Sequence, residues 1–155
     1  MSKEDLIQAF DLIRAHEDDA DFVGPRDEET IRKAEETLGI RFPPTYRRFI
    51  QTYGCGDIAG EEFYGILHDD FQNSGIPDAV WLTLVERQHG LPEHLVIIYS
   101  RGDGTYYTLD ASRPNTRGEY PVVAWTPGLS EPDKPLEVVA SDFGEFLKRT
   151  LDEAL

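Results

Sequence analysis

Apolar positions recur at helical spacing through the first third of the chain and then change to short runs punctuated by glycine. Ser2 with Asp5 three residues on has the form of a capping box, and Leu6, Phe10 and Ile13 follow on one face with Ile7 beside them. This predicts a helix to about His16, followed by a turn rich in Asp, Gly and Pro. Asp27 caps a second predicted helix with Ile31, Ala34 and Leu38 as its apolar stripe; Gly39 ends it and Ile40 closes it. Pro43 and Pro44 open a third, in which Tyr46, Phe49, Ile50 and Tyr53 share a face and Gly54 stops the run.

Beyond Gly54 the predicted elements are a strand over Glu62 to Leu67 and a helix capped by Asp78 carrying Val80, Trp81, Leu84 and Val85 to Gly90. Strands follow at Leu95 to Tyr99 and Thr105 to Leu109, joined by the turn Arg101-Gly102-Asp103-Gly104. Tyr120 to Trp125 and Leu136 to Val139 are further strands, with Pro121 suited to a strand start or an edge. Ser141 caps a terminal helix whose Phe143, Phe146, Leu147, Leu151 and Leu155 face inward. Helices, then hairpin-linked strands, then a helix imply an α+β fold. The expected architecture is N-terminal helices and a C-terminal helix packed around a curved antiparallel sheet of five or six strands.

Length fits one domain over residues 1–155, since half of a 155-residue chain would bury too little core. No run approaches the ~20 apolar residues that span a bilayer, the N-terminus has no signal-peptide pattern, and Cys55 is the sole cysteine. These features give the expectation of a cytoplasmic protein. Charge adds more. Thirty acidic residues against fifteen basic ones give a net charge of -15, a surface that repels nucleic acid and anionic membranes and attracts a basic partner. An acidic surplus also serves solubility alone. Its distribution is uneven: no Lys or Arg lies between Arg48 and Arg87, an interval holding Asp57, Glu61, Glu62, Asp69, Asp70, Asp78 and Glu86. Glu17, Asp18, Asp19 and Asp21 form a second cluster, whereas Asp27, Glu28 and Glu29 are accounted for by a helix N-terminus.

Candidate chemistry is sparse. The histidines at 16, 68, 89 and 94 have no ligand spacing on a helix face, and His68-Asp69-Asp70 lacks a second ligand pair, so a solvated loop is the better reading. Asp19 to Gly24 imitates the start of a calcium loop, but Val23 and Thr30 fall where a coordinating side chain and a bidentate acid are required. Gly54-Cys55-Gly56-Asp57-Ile58-Ala59-Gly60 has the wrong spacing for a dinucleotide loop and follows a helix instead of a strand. Cys55 has no neighbouring cation to activate it, and no serine lies in a nucleophile elbow. Phe49, Tyr53, Trp81, Trp125, Phe143 and Phe146 read as core, and one of Tyr106 and Tyr107 is expected to be exposed. No catalytic residue, cofactor or metal is indicated.

The series Leu38-Gly39-Ile40, Phe42-Pro43-Pro44-Thr45-Tyr46-Arg47-Arg48-Phe49-Ile50 and Tyr53-Gly54-Cys55-Gly56 resembles the N-terminal signature of the SUKH (Smi/Knr-like) superfamily. Departures are Phe42 for the usual Leu, Thr45 for the usual acid, and Cys55 between the glycines. Gly90-Leu91-Pro92, Asp103-Gly104, Pro121 to Trp125 and Ser141 to Phe146 extend the resemblance and look most like its YobK-type branch. The resemblance covers about residues 27 to 150. It implies an α+β fold and a largely non-enzymatic role: bacterial members look like immunity proteins that neutralise polymorphic toxins, many of them nucleases. Fungal relatives act as interaction hubs. The expectation is therefore an immunity protein that binds a basic toxin domain, without nucleic-acid or membrane binding, through Asp57, Glu61, Glu62, Asp69 and Asp70. The alternative is a regulatory adaptor for a house-keeping partner.

Overall fold

The computed structural model describes residues 2–131 and 133–155. Its first half comprises α1 (Ser2–Ala15), a 3-10 turn (Glu17–Asp19), β1 (Ala20–Phe22), α2 (Glu28–Leu38), α3 (Pro44–Tyr53), β2 (Gly56–Ile58) and β3 (Glu61–Phe63). The second half comprises α4 (Ala79–Arg87), β4 (Leu95–Ser100), β5 (Tyr106–Asp110), β6 (Val122–Trp125), β7 (Val138–Ala140) and α5 (Phe143–Ala154). The class is α+β, as the order of patterns implies. The capping contact expected of Ser2 lies outside the described side chains.

Local signals set the helix ends. The Asp27 carboxylate accepts from Thr30 N–H at 2.8 Å to open α2, and Gly39 closes it with φ 69°. Pro44 is the first residue of α3, so its missing N–H costs nothing there. The Asp78 carboxylate accepts from Val80 and Trp81 N–H to start α4. The residue that caps α5 is Asp142, not Ser141: its carboxylate accepts from Glu145 N–H at 2.9 Å, while the Ser141 hydroxyl donates to the Glu145 side chain.

The expected single curved sheet is instead two antiparallel sheets, β1-β2-β3 and β4-β5-β6-β7. The reason is local. After Phe63 the chain keeps one hydrogen bond towards β4, Tyr64 N–H to Ile98 O at 2.9 Å, and Ile98 is the residue skipped where the β4–β5 register slips. Gly65 N–H then turns to Pro77 O, so the ladder stops. Two strands, β1 and β2, lie in segments read as a turn and a glycine loop. Each is only three residues long, too short for an alternation to register.

Buried side chains form one cluster between the sheets and helices, from Leu6 and Phe10 of α1 to Leu147 and Leu151 of α5. Helix α3 runs through it, with Tyr46, Phe49 and Ile50 fully buried. Phe49 meets Phe22, Tyr53, Phe63 and Phe143, an aromatic contact set that links β1, α3, β3 and α5. Three expectations for the core change. On α4 the buried face is Ala79, Val80, Leu82 and Thr83, leaving Trp81, Leu84 and Val85 half-buried, because Thr83 Oγ1 accepts from Ile97 N–H of β4 at 3.0 Å. Tyr106 and Tyr107 are both half-buried, the first stacked on Trp125 and the second on Tyr99. Leu155 is among the exposed apolar residues.

Helix α3 receives its cap from far along the chain. Pro43 offers no capping side chain, and the buried Glu119 carboxylate accepts instead from Thr45 N–H at 3.0 Å and Thr45 Oγ1 at 2.8 Å. Two further joints fix the helices. Arg47 pairs with Glu28 and Glu35 to tie α3 to α2, and Arg87 donates to Leu38 O at 2.8 Å, binding a carbonyl at the end of α2.

The end of α3 is the tightest crossing. A Cβ on Gly65 would lie 1.8 Å from Gly54 O, and one on Gly56 would lie 2.2 Å from Asp21 O. Gly65→Ala is expected to destabilise the fold by at least about 3 kcal/mol in denaturant unfolding. Gly75→Ala, with nothing within 4 Å, is the control and should change stability by less than about 1 kcal/mol. Glu119→Ala leaves the Thr45 donors without a partner and is expected to cost about 2 kcal/mol, roughly 4–8 °C in Tm. Glu119→Gln keeps an acceptor for Thr45 N–H and should cost clearly less; equal losses would mean that packing, not capping, is the role of Glu119.

Candidate acidic interface

The close crossing at Gly54 and Gly56 allows β2 to lie directly against β1, and this brings two acidic clusters together that are far apart in sequence. In the antiparallel register Asp21 of β1 stands opposite Asp57 of β2, and Asp57 stands opposite Glu62 of β3. The alternate positions Phe22, Ile58 and Phe63 turn into the aromatic core, which forces the three acids to the opposite, outward face. Asp21 is exposed, and Asp57 and Glu62 are half-buried. The acidic 3-10 turn Glu17–Asp19 leads directly into the row, with Ala59 N–H bonded to Asp19 O at 3.1 Å.

A row of like charges across a sheet opposes folding. Its electrostatic mark is on Glu62, whose carboxyl is pushed above the ordinary glutamate range first by burial and then by the Asp57 charge. Among the described residues, no group of three or more His, Cys, Asp or Glu side chains is placed to hold a metal ion. The row is suited to cations carried by another molecule, such as Arg and Lys side chains reaching in from outside.

The five acids expected at a partner surface thus separate. Asp57 and Glu62 belong to the row. Glu61 faces the other side of β3, where its carboxylate accepts from the Tyr99 hydroxyl; burial and this bond both raise the Tyr99 pKa. Asp69 pairs with Lys33 of α2 at 3.8 Å, and Asp70 accepts from the Asn73 side chain at 3.1 Å. Asp21 is the member not singled out from the sequence. It lies in a segment that imitates a calcium loop, and only its pairing with Asp57 gives it a place in the row.

Cys55, His68 and Asp78 are engaged within the fold. Cys55 is fully buried and its thiol is pushed up to about 12, mainly by burial and then by Asp78. His68 Nδ1 accepts from Asp70 N–H at 3.2 Å, a bond that shapes the loop. Asp78 has no exposed surface and accepts from Leu67 N–H and Ser74 Oγ as well as from its own helix; burial raises its pKa against these four bonds. Each of its bonds holds backbone or loop, so Asp78 serves as a fastener of the segment after β3.

No helix among the described residues is long and apolar enough to cross a membrane. A crystal structure of a protein from Pseudomonas syringae pv. tomato has a similar fold, with a TM-score of 0.56 at 18% identity over 78% of this chain and 86% of that one. The family model described as SMI1-KNR4 cell-wall (SUKH_5) matches residues 4–152, nearly the whole chain. That match supports the superfamily and does not extend to the YobK-type branch. With its turn glycines and core aromatics in these places, the chain belongs to the SMI1-KNR4 family of the SUKH superfamily.

Proposed function

We propose that the chain is a cytoplasmic, single-domain immunity protein that binds a cognate toxin domain and covers its basic substrate cleft, the toxin being a nuclease. The observation that carries the reading is the row Asp21–Asp57–Glu62, three outward carboxylates held side by side by strand register at a cost to the fold. A nuclease presents Lys and Arg to phosphates, and a fixed line of carboxylates offers those cations an alternative set of acceptors. Family membership supports a protein partner. Asp57 and Glu62 with Asp21 form the contact. Glu61, Asp69 and Asp70, already engaged within the chain, add to the long-range attraction. The family's regulatory members make an adaptor for a house-keeping protein the competing reading.

The test uses the toxin domain encoded by the neighbouring reading frame. In surface plasmon resonance, Asp57→Lys with Glu62→Lys should slow association and weaken binding at least about tenfold, with the toxin's cleavage activity restored. Asp69→Lys with Asp70→Lys should lower only the association rate, by a few-fold. Unchanged affinity in the first pair removes the row from the interface. No binding by the wild-type protein would favour the adaptor.

The same row gives a stability signature. Asp57→Asn removes the like charge that faces both Asp21 and Glu62 and is expected to stabilise the fold by about 0.5 kcal/mol, roughly 1–2 °C in Tm, at neutral pH. Because the folded-state pKa of Glu62 is raised, the native state holds that proton more readily than the unfolded chain. The penalty therefore applies above the raised pKa and is relieved as pH falls through it, so the advantage of Asp57→Asn should fade in the same window. A variant that is destabilised at neutral pH would show that Asp57 has a supporting role in the native state.

A further inference from the structure

A groove of about 850 Å³ lies between α1, the start of α3 and the loop before β6, and its charge is opposite to that of the molecule. Lys3, Arg14, Arg48 and Arg117 line it, four of the fifteen basic residues in a chain of net charge -15. The one carboxylate among the lining residues is Glu119, which is buried and bonded to Thr45. Lys3, Ile7, Phe10 and Arg14 follow one another at helical spacing on α1, so a single stripe has cations at its ends and apolar side chains in its middle. Ile7 is 53% exposed in this stripe and open to an incoming apolar side chain. Arg14 shares its charge with Asp11 on the same helix, a surface pair that an incoming carboxylate can replace at little cost.

We propose that this groove docks an acidic segment of a partner protein, with apolar side chains over Ile7 and the uncovered edge of Phe10 and carboxylates at both ends. The spacing decides between occupants. Lys3 and Arg14 are about 16 Å apart along the helix at ~1.5 Å per residue, too far to converge on one anionic headgroup but matched to charges spread along a peptide. Apolar burial in the middle supplies affinity, and the end cations set the register and exclude basic sequences. The groove shares no residue with the acidic row, so the two offer opposite charge to a partner. The inference does not depend on the identity of the partner at the acidic row.

Fluorescence anisotropy with a labelled peptide Glu-Asp-Leu-Ala-Phe-Leu-Asp-Glu tests this on the full chain. We expect saturable binding that weakens with added salt, and at least about tenfold loss with Arg48→Glu and with Ile7→Ser. Both positions are exposed, and an unchanged Tm checks that each variant is folded. Asp57→Lys with Glu62→Lys should leave this binding intact, which separates it from the acidic row. Absence of saturation up to about 1 mM overturns the proposal. So does equal binding of a control with Lys in place of every acid. If sedimentation instead shows self-association that Arg48→Glu abolishes, the occupant is a second copy and the assignment to a partner segment fails.

Discussion

Backbone contact at the end of α3 is the constraint on which the arrangement of this protein rests. Gly54 passes so close to Gly24 in the segment after β1, Gly56 so close to Asp21 of β1, and Gly65 so close to Gly54, that a methyl group at any of the three would overlap a carbonyl oxygen. Ile66 N–H donates to Gly54 O and Val23 N–H to Cys55 O, so the contact is hydrogen-bonded as well as tight. Arg26 adds a clamp, its guanidinium donating to Ile66 O and Leu67 O at 3.0 and 2.8 Å. At Gly56 any side chain larger than hydrogen would push β2 away from β1, and Asp57 would no longer stand beside Asp21. Gly54 and Gly56, in a run whose spacing is wrong for a dinucleotide loop, serve here to let two segments touch.

From that crossing two layers of consequence follow. Inward, Phe22, Ile58 and Phe63 are delivered to Phe49, and the aromatic cluster continues through Phe143 and Phe146 into α5. Outward, the residues between them must point to solvent, and three of those are acids. The favourable burial on one face holds in place the unfavourable repulsion on the other. Sequences free of functional demand would place Thr or Lys at such alternating positions, where cross-strand pairs can stabilise a sheet. The core maintains this local conflict on its outer face.

Charge is distributed to match. Acids are concentrated on the three-stranded sheet and the turn before it, while four cations gather around an apolar groove beside α1 and α3. A net charge of -15 says nothing of this separation, because a sum carries no positions. Glu119 shows the limit in another form. Its role as the cap of α3 links residues 74 apart, and its burial raises its pKa although Thr45 supplies two donors. No pattern around Pro43 announces a cap that arrives from the other end of the fold.

What the sequence determined by itself was the set of elements whose stabilisation is local. Asp27, Gly39, Pro44 and Asp78 mark helix ends through contacts within a few residues, and the strands at 95–100 and 106–110 carry enough β-branched and aromatic residues to be read directly. The ordered combination of these signals was enough to bring the family into view. Tertiary structure alone decided the division into two sheets, the presence of β1 and β2, and the row of Asp21, Asp57 and Glu62. Three-residue strands are too short to show a period, and their register is set by partners distant in sequence. Which acids meet depends on which backbones can approach, and that was settled by three glycines whose neighbours in space are not their neighbours in the chain.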